Sequence, residues 1–596
     1  MHHRSRHFRI ALTHQNTPMS EPKDPVLASY DRALAGWEHR LLGFIQDNPA
    51  YPYFGSLDRG YWHYRATSGF PSVMYQISML SLAIGAISAS VPSQQARLLR
   101  LTQAALLFWS KTQHRDGTHD EWYVNEHSYA ATAFGSFAAS EALLMLRDSA
   151  VPLRDEAPII DAIERAASWL TKRSDPHVSN HTAGGIAAIH NAGILTGRTE
   201  LLDVSTAQLR DLEATQHAEG WFPEYGGFDP GYLTVTIGYL ASYVHRGGHE
   251  IATQILRRAI DTAARGVNPD GSFGGPYGSR NTKFLMPHGL ELVHDQMPTA
   301  GWILESTLGV GHHQLVTPST ADDRYFAFFF LWSYLWARSA RTTRLGSSTT
   351  TKPPNLTPDL KEAGLIRRVM GPWQLAVNVH KGAALSLYHH RELAAVEAGY
   401  AAHVRDGQWA TSQALTPPLD VKIEERDANI SISVTKEFHA ENPRNPLDTL
   451  AVPFSIYTAS IARIATVAYR IGDWIKSRQV RRKTPMPLLL ERHIDMTNDQ
   501  VQIVDLIHNT GKRIDVELVG TGDTTTMHNP SSRFSTFPGT KIEPTKSVWR
   551  GHLDKGSSIG RRLLISSTTE DLTDEGLTLL NKEDRKRLLK EFHTFD

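Results

Sequence analysis

The chain contains no cysteine. That absence excludes a disulfide framework, a thiolate nucleophile and a cysteine-ligated zinc site, while leaving the redox compartment open. Neither charge sign is in excess, since 62 Lys and Arg balance 62 Asp and Glu. No global field therefore draws the chain to nucleic acid or an anionic membrane, and an acidic ligand has to be caught locally. Long hydrophobic runs are also missing. The most apolar stretch, Tyr325 to Trp336, is about twelve residues where a membrane-spanning helix needs about 20, and it reads as a buried core helix. The basic start, Met1 to Arg9, is followed by Ile10-Ala11-Leu12-Thr13-His14, too short and polar for the apolar part of an export signal. A cytoplasmic location is expected on that ground, with the periplasm or secretion as the alternative. Residues 1–24 are expected to be flexible, with Met19 readable as a second start.

What is present is enough apolar content, 41% of 596 residues, to build more than one sizeable core. From residue 25 to 341 the sequence repeats apolar positions at three- and four-residue spacing, as in Gln95–Thr112, Ala130–Arg147, Gly184–Leu195 and Leu233–His245. Some of these segments are apolar on every face, which predicts an inner layer of helices behind an outer one. An acidic-glycine turn leading to an aromatic recurs at Asp116-Gly117, Glu219-Gly220 and Asp270-Gly271. The intervals fit a helical-hairpin unit of about fifty residues, and hence an (α/α) toroid with its loops on one face. Residues 342–364, with Gly346 to Pro354 rich in Ser, Thr and Pro, read as a linker. Beyond it, Trp373–His380, Ala384–Tyr388, Ile430–Val434 and Val501–Leu506 alternate as half-buried strands do. An antiparallel β-sandwich over 365–566 is expected, then a helical tail over 567–596.

Two short motifs suggest chemistry. Ser179-Asn180-His181 stands at a helix start, and Tyr232 follows Asp229-Pro230-Gly231 at a later one. An amide and an imidazole at such a point can neutralise a carboxylate, and a phenol can then move the proton that neutralisation makes removable. The plainer reading makes Asn180 a helix cap and Tyr232 a packed ring. Tyr225 is a rival phenol. Trp122, Glu126 and His127 lie beside aromatics ahead of an apolar helix and suit sugar binding or a cap. Arg280, Asn281 and His288 are further cleft candidates, Arg280 as the cation a phenolate needs.

On these residues the helical half, clearest from Asp116 to Leu290, resembles the heparinase II/III-like and alginate-lyase-like polysaccharide lyases. That resemblance implies an incomplete (α/α) toroid joined to an antiparallel β-sandwich and the β-elimination of a uronate-containing polysaccharide or oligosaccharide. In it Asn180 and His181 would neutralise the carboxylate, and Tyr232 would be the acid and, in syn elimination, the base. No cofactor is implied. The family's β-domain histidine in a His-x-His setting has no counterpart here. His380 is the nearest candidate, although its alternating strand favours a structural role. A structural metal at His389-His390 is disfavoured because neighbouring side chains on a strand point to opposite faces. Three other functions fit the same residues. An inverting glycoside hydrolase would use two of Glu121, Glu126, Glu224 and Asp229. A uronate epimerase would share the carbanion, and a non-catalytic glycan-binding protein would need neither.

Overall fold

The computed structural model describes residues 24–63, 69–310, 315–344, 359–441, 451–481, 484–522, 548–567 and 572–592. The expected flexible start, apart from Asp24, and residues 345–358 of the expected linker lie outside these.

Helices occupy the N-terminal part in two layers. The inner ones, Met79–Ser88, Tyr129–Asp148, Ser179–Thr196, Pro230–His245, Pro287–Val293 and Leu331–Thr343, touch in that order, and the last packs on the first. The expected toroid is present, and its two ends meet. Tyr129–Asp148 is long and apolar enough to cross a membrane, but it is enclosed by its neighbours. Outer helices bury one stripe: in Ala157–Leu170 the buried Ile159, Ala162, Ile163, Ala166, Ala167 and Leu170 recur at helical spacing, with Trp169 buried beside them. Tyr325 to Trp336 is buried as expected, with a wider π-helical turn over Phe326–Phe330 leading into the last inner helix.

The sequence repeat has a structural counterpart. Gln113 Nε2 donates to Gly117 O at 3.0 Å and Ala162 O at 2.8 Å, and Gln216 Nε2 donates to Gly220 O at 2.9 Å and Ile255 O at 3.1 Å. Each amide ties its loop to the next outer helix. Gly117 (φ 93°) and Gly220 (φ 92°) are left-handed, and a Cβ would stand 2.5 Å from Arg165 O and 2.4 Å from Arg258 O. Only glycine meets both conditions.

The C-terminal part is a sandwich. A four-stranded antiparallel sheet, Leu365–Met370, Trp373–Asn378, Ala384–His389 and Glu392–Glu397, shares a core with an eleven-stranded one. Leu375, Val377 and Leu385 from the first pack with Ile432, Ile494 and Ile503 from the second. Two departures from expectation stand out. Leu572–Asp574 and Thr578–Leu580 extend the large sheet, so among the described residues of the expected tail only Lys582–Phe592 is helical. The chain between strands Asn429–Glu441 and Pro485–Met496 also forms two helices, Ala451–Ala459 and Ala465–Arg481.

The small sheet joins the helical part at loop 265–280. Asn378 Nδ2 donates to Tyr277 O at 2.7 Å, Arg367 Nη1 to Val267 O at 3.1 Å, and Lys381 Nζ to Pro276 O at 2.9 Å and Gly278 O at 2.6 Å. Burial pushes the Lys381 ammonium down to about 8, against the pull of Asp229. Between about pH 8 and 10.5 the folded chain thus binds fewer protons here than the unfolded one, so this group adds stability as pH rises through that window. Lys381→Met should remove a pH-dependent increment on the order of 3 kcal/mol, measured by denaturant unfolding of both proteins at the two ends of the window. Parallel pH profiles for the two proteins would contradict this.

Candidate functional site

The loops entering the inner helices lie on one face of the ring, and the candidate site forms where three of them meet. Helix Ser179–Thr196 starts without a side-chain cap. Asn180 is therefore not a capping residue: it is fully buried, and its Nδ2 donates to Glu224 Oε2 at 2.9 Å. One amide hydrogen and Oδ1 remain for another partner, and Oδ1 has none. His181 Nδ1 pairs with Asp175 Oδ2 at 2.9 Å, and its ring edge meets Phe134. Asp175 escaped the sequence reading, although a carboxylate six residues before a histidine was a findable signal.

Helix Pro230–His245 is capped by Asp229, whose Oδ1 accepts Tyr232 N at 3.1 Å. Pro230 presets the first turn. Gly231 permits a close approach, since a Cβ there would meet Thr282 Oγ1 at 2.4 Å. Asp229 also accepts Arg280 N at 2.9 Å and the Thr282 hydroxyl. Loop 276–282 is thereby fixed to the start of the Tyr232 helix from one side, and to Lys381 from the other. The Tyr232 ring packs edge-on against Phe284 at 5.5 Å and Phe329 at 6.3 Å.

Arg280 joins the two motifs. Its Nη1 donates to Glu224 Oε1 at 2.6 Å, and its guanidinium carbon stands 4.1 Å from the Tyr232 ring centre and 4.3 Å from that of Tyr225. Burial works against the charge, but Tyr232, Glu224 and Tyr225 outweigh it, so Arg280 stays protonated well above the ordinary range. Burial in turn raises the Glu224 carboxyl, with Arg280 and His181 opposing. Arg280 Nε and both polar atoms of the Asn281 side chain are buried without a hydrogen-bond partner. Tyr225 and Asn281 each hold φ near 53°, a conformation costing about 1–3 kcal/mol that persists only where surroundings enforce it. Strain and unpaired polar atoms therefore gather around one guanidinium.

The structure does not bring every sequence candidate here. His288 is a core residue: its Nδ1 pairs with Ser333 Oγ at 2.7 Å, its ring lies among Trp332 and Trp336, and burial lowers its pKa to about 3. Glu126 ties its own loop, accepting Glu121 N and Trp122 N at 2.8 and 2.7 Å, and His127 Nδ1 is engaged by Thr118 and Asp116. Trp122 is exposed on the same face under the Arg324 guanidinium at 4.0 Å. His380 lies in the turn beyond strand Trp373–Asn378, not on the alternating strand expected, against Gly364 and with its backbone N–H held by Asn378 Oδ1. His389 ends strand Ala384–His389 and His390, at φ 54°, lies beyond it, so their rings meet at 4.5 Å, tilted by 56°, instead of facing opposite ways as expected, while His389 lies tilted by 42° against Trp373. Among the described residues no group of three His, Asp or Glu side chains is placed to hold a metal ion.

No family model matches the chain, and neither does any curated protein. Among solved structures it is similar to a Paenibacillus xanthan lyase at 9% identity and a TM-score of 0.48, over 96% of this chain and 58% of that one. It is also similar to a heparan sulfate lyase from Pedobacter heparinus at 11% identity and a TM-score of 0.36, over 95% and 91% of the two chains. A third is a chondroitinase AC lyase at 10% identity and 0.37, over 94% and 98%. The chain thus spans 58% of the xanthan lyase's length, and its architecture stands on the elements described above.

Proposed function

We propose that the protein is a polysaccharide lyase acting on a uronate-containing chain by β-elimination. The observation that carries this reading is the continuous buried link from Asn180 through Glu224 and Arg280 to Tyr232. β-Elimination needs a proton removed alpha to a carboxylate and a leaving oxygen protonated. The first is uphill unless donors meet the charge that spreads onto the carboxylate. The free Asn180 amide hydrogen and His181 are those donors. A guanidinium beside a tyrosine ring favours a phenolate over a phenol, so Tyr232 takes the alpha proton; the C–H electron pair forms the double bond as the C–O bond to the next sugar breaks. The same phenol then returns the proton to the departing oxygen.

The hydrolase alternative loses ground because its four carboxylates are engaged: Glu121 by Arg324 at 2.9 Å, Glu126 by loop N–H groups, Glu224 by Asn180 and Arg280, and Asp229 by its cap and Arg280 N. Mass spectrometry of products from sodium alginate, polygalacturonate, chondroitin sulfate and xanthan tests the reading. Elimination yields fragments lighter by one water than hydrolysis does. Full-weight fragments from every polymer, or none, would refute it.

Asp175 acts here through His181, holding its tautomer and orientation. Asp175→Asn should lower turnover at least about tenfold with KM little changed and folding intact. An unchanged rate on the polymer found above would assign the pair to loop structure alone.

A further inference from the structure

The two helices between strands Asn429–Glu441 and Pro485–Met496, absent from the sequence expectation, each pack one face on the helical ring. On Ala451–Ala459 the Tyr123 ring meets Phe454 edge-on at 5.0 Å, Asn125 Nδ2 donates to Thr458 O at 2.9 Å, and Thr458 is buried. On Ala465–Arg481, Ala468 is buried, and Tyr469 meets Trp169 at 5.8 Å and stands 5.2 Å from the Arg173 guanidinium. Gly472 faces Tyr123, where a Cβ would lie 3.9 Å from the hydroxyl. Phe454 and Thr458 stand one turn apart, as do Ala468 and Gly472, so these contacts define one side of each helix.

The other sides are apolar and open to solvent. Ile456, half a turn from Phe454 and Thr458, is more than half exposed, as are Ile461, Ile464 and Trp474. Ile464, Val467, Ile471 and Trp474 recur at three- and four-residue spacing, an apolar stripe beside the packed side of the second helix. Exposed Arg463 and Arg470 flank it. The balanced charge of the whole chain hides a local exception here. Thr449 to Ala462 holds no charged residue, and Arg463 to Lys483 holds seven Lys or Arg against a single acid, Asp473.

We propose that this face docks the protein on an anionic lipid bilayer, the two helices lying in the plane of the surface with Ile456, Ile461, Ile464 and Trp474 at the boundary of headgroups and acyl chains. Helices that lie at a membrane surface have this make-up, an aliphatic and aromatic face with basic residues beside it. Positive charge draws the stretch to lipid phosphates, and the isoleucines then leave water. The second helix rests on the membrane and does not cross it, since its 17 residues include Arg470 and Asp473, where a spanning helix needs about 20 apolar ones. A second copy of the chain fits worse: closed pairing sets a patch against itself, which here brings two basic stretches together. Protein interfaces keep charge away from their apolar centre, whereas Arg463 adjoins Ile464 and Arg470 adjoins Ile471. An acidic polysaccharide would answer the charge and leave the isoleucines in water. The inference stands apart from the lyase reading.

Flotation of the full chain with lipid vesicles tests it. In about 0.1 M salt, binding to mixed phosphatidylglycerol and phosphatidylcholine vesicles should exceed binding to phosphatidylcholine alone by at least about tenfold, and about 1 M salt should reverse most of it by screening. Arg463→Gln with Arg470→Gln and, separately, Ile464→Ser with Trp474→Ser should each weaken binding about tenfold. All four side chains are exposed, so folding, checked by circular dichroism, should hold. The native chain lacks cysteine, so Ile461→Cys takes a single environment-sensitive fluorophore. Its emission should shift to the blue on anionic vesicles, while the same label at Ile194→Cys, near the far end of helix Ser179–Thr196, should not shift. Four results overturn the proposal: no flotation with anionic vesicles; undiminished binding by the Ile464 and Trp474 variant, which would leave charge alone at work; no shift of the label at 461; or a dimer in light scattering that the same variant abolishes, which would give the face to a second copy.

Discussion

Tyr232→Phe should lower turnover by at least about 10²-fold, the lower end of what a positioned acid or base contributes, with folding and substrate affinity little changed. The asymmetry follows from the ring's surroundings. Phe284 and Phe329 hold its edge, and the Arg280 cation lies over its face; phenylalanine keeps both contacts and loses only the hydroxyl. A simple packing role predicts the opposite pattern, with rate retained. Kinetics on the polymer substrate, with thermal unfolding of the same preparations, separate the two. If the variant keeps full rate, the phenol assignment fails, and Tyr225, whose ring centre is 4.3 Å from the same guanidinium, is next to be tested.

Arg280→Met should have the largest effect on stability. Arg280 and Glu224 are both buried, and Glu224 holds Asn180. Removing one member of a buried pair leaves the other charge uncompensated, at about 3–5 kcal/mol. The double variant Arg280→Met with Glu224→Gln removes both charges and should recover most of that loss in denaturant unfolding, while turnover stays at background because the cation beside Tyr232 is gone. Equal destabilisation in the single and double variants would show that the pair is not coupled.

Much of this arrangement was legible in the sequence, for local reasons. Helix starts announce themselves, and Asp229-Pro230-Gly231 before Tyr232 combines a capping carboxylate, a preset first turn and a residue without Cβ. The repeated acidic-glycine turns disclosed the hairpin unit because Gly117 and Gly220 meet the same steric demand. What stayed hidden depends on distant contacts. From the sequence Glu224 is only a candidate for hydrolytic chemistry, since its bonds to Asn180 and Arg280 span 44 and 56 residues. His288 follows a proline at a helix start, as a site residue might, yet the helix turns it inward onto Trp332 and Trp336. The two helices between strands Asn429–Glu441 and Pro485–Met496 left a weak signal because Pro453, in the first turn of one of them, reads in a sequence as a helix breaker.

The central claim is elimination, and its most direct measurement is the number of conjugated unsaturated uronate ends, by ultraviolet absorbance, set against new reducing ends in the same digest. Elimination creates one unsaturated end for every new reducing end, so the account predicts a ratio of one throughout the reaction, with both signals lost together in Tyr232→Phe. Reducing ends that accumulate without the absorbance would mean hydrolysis, and would contradict it.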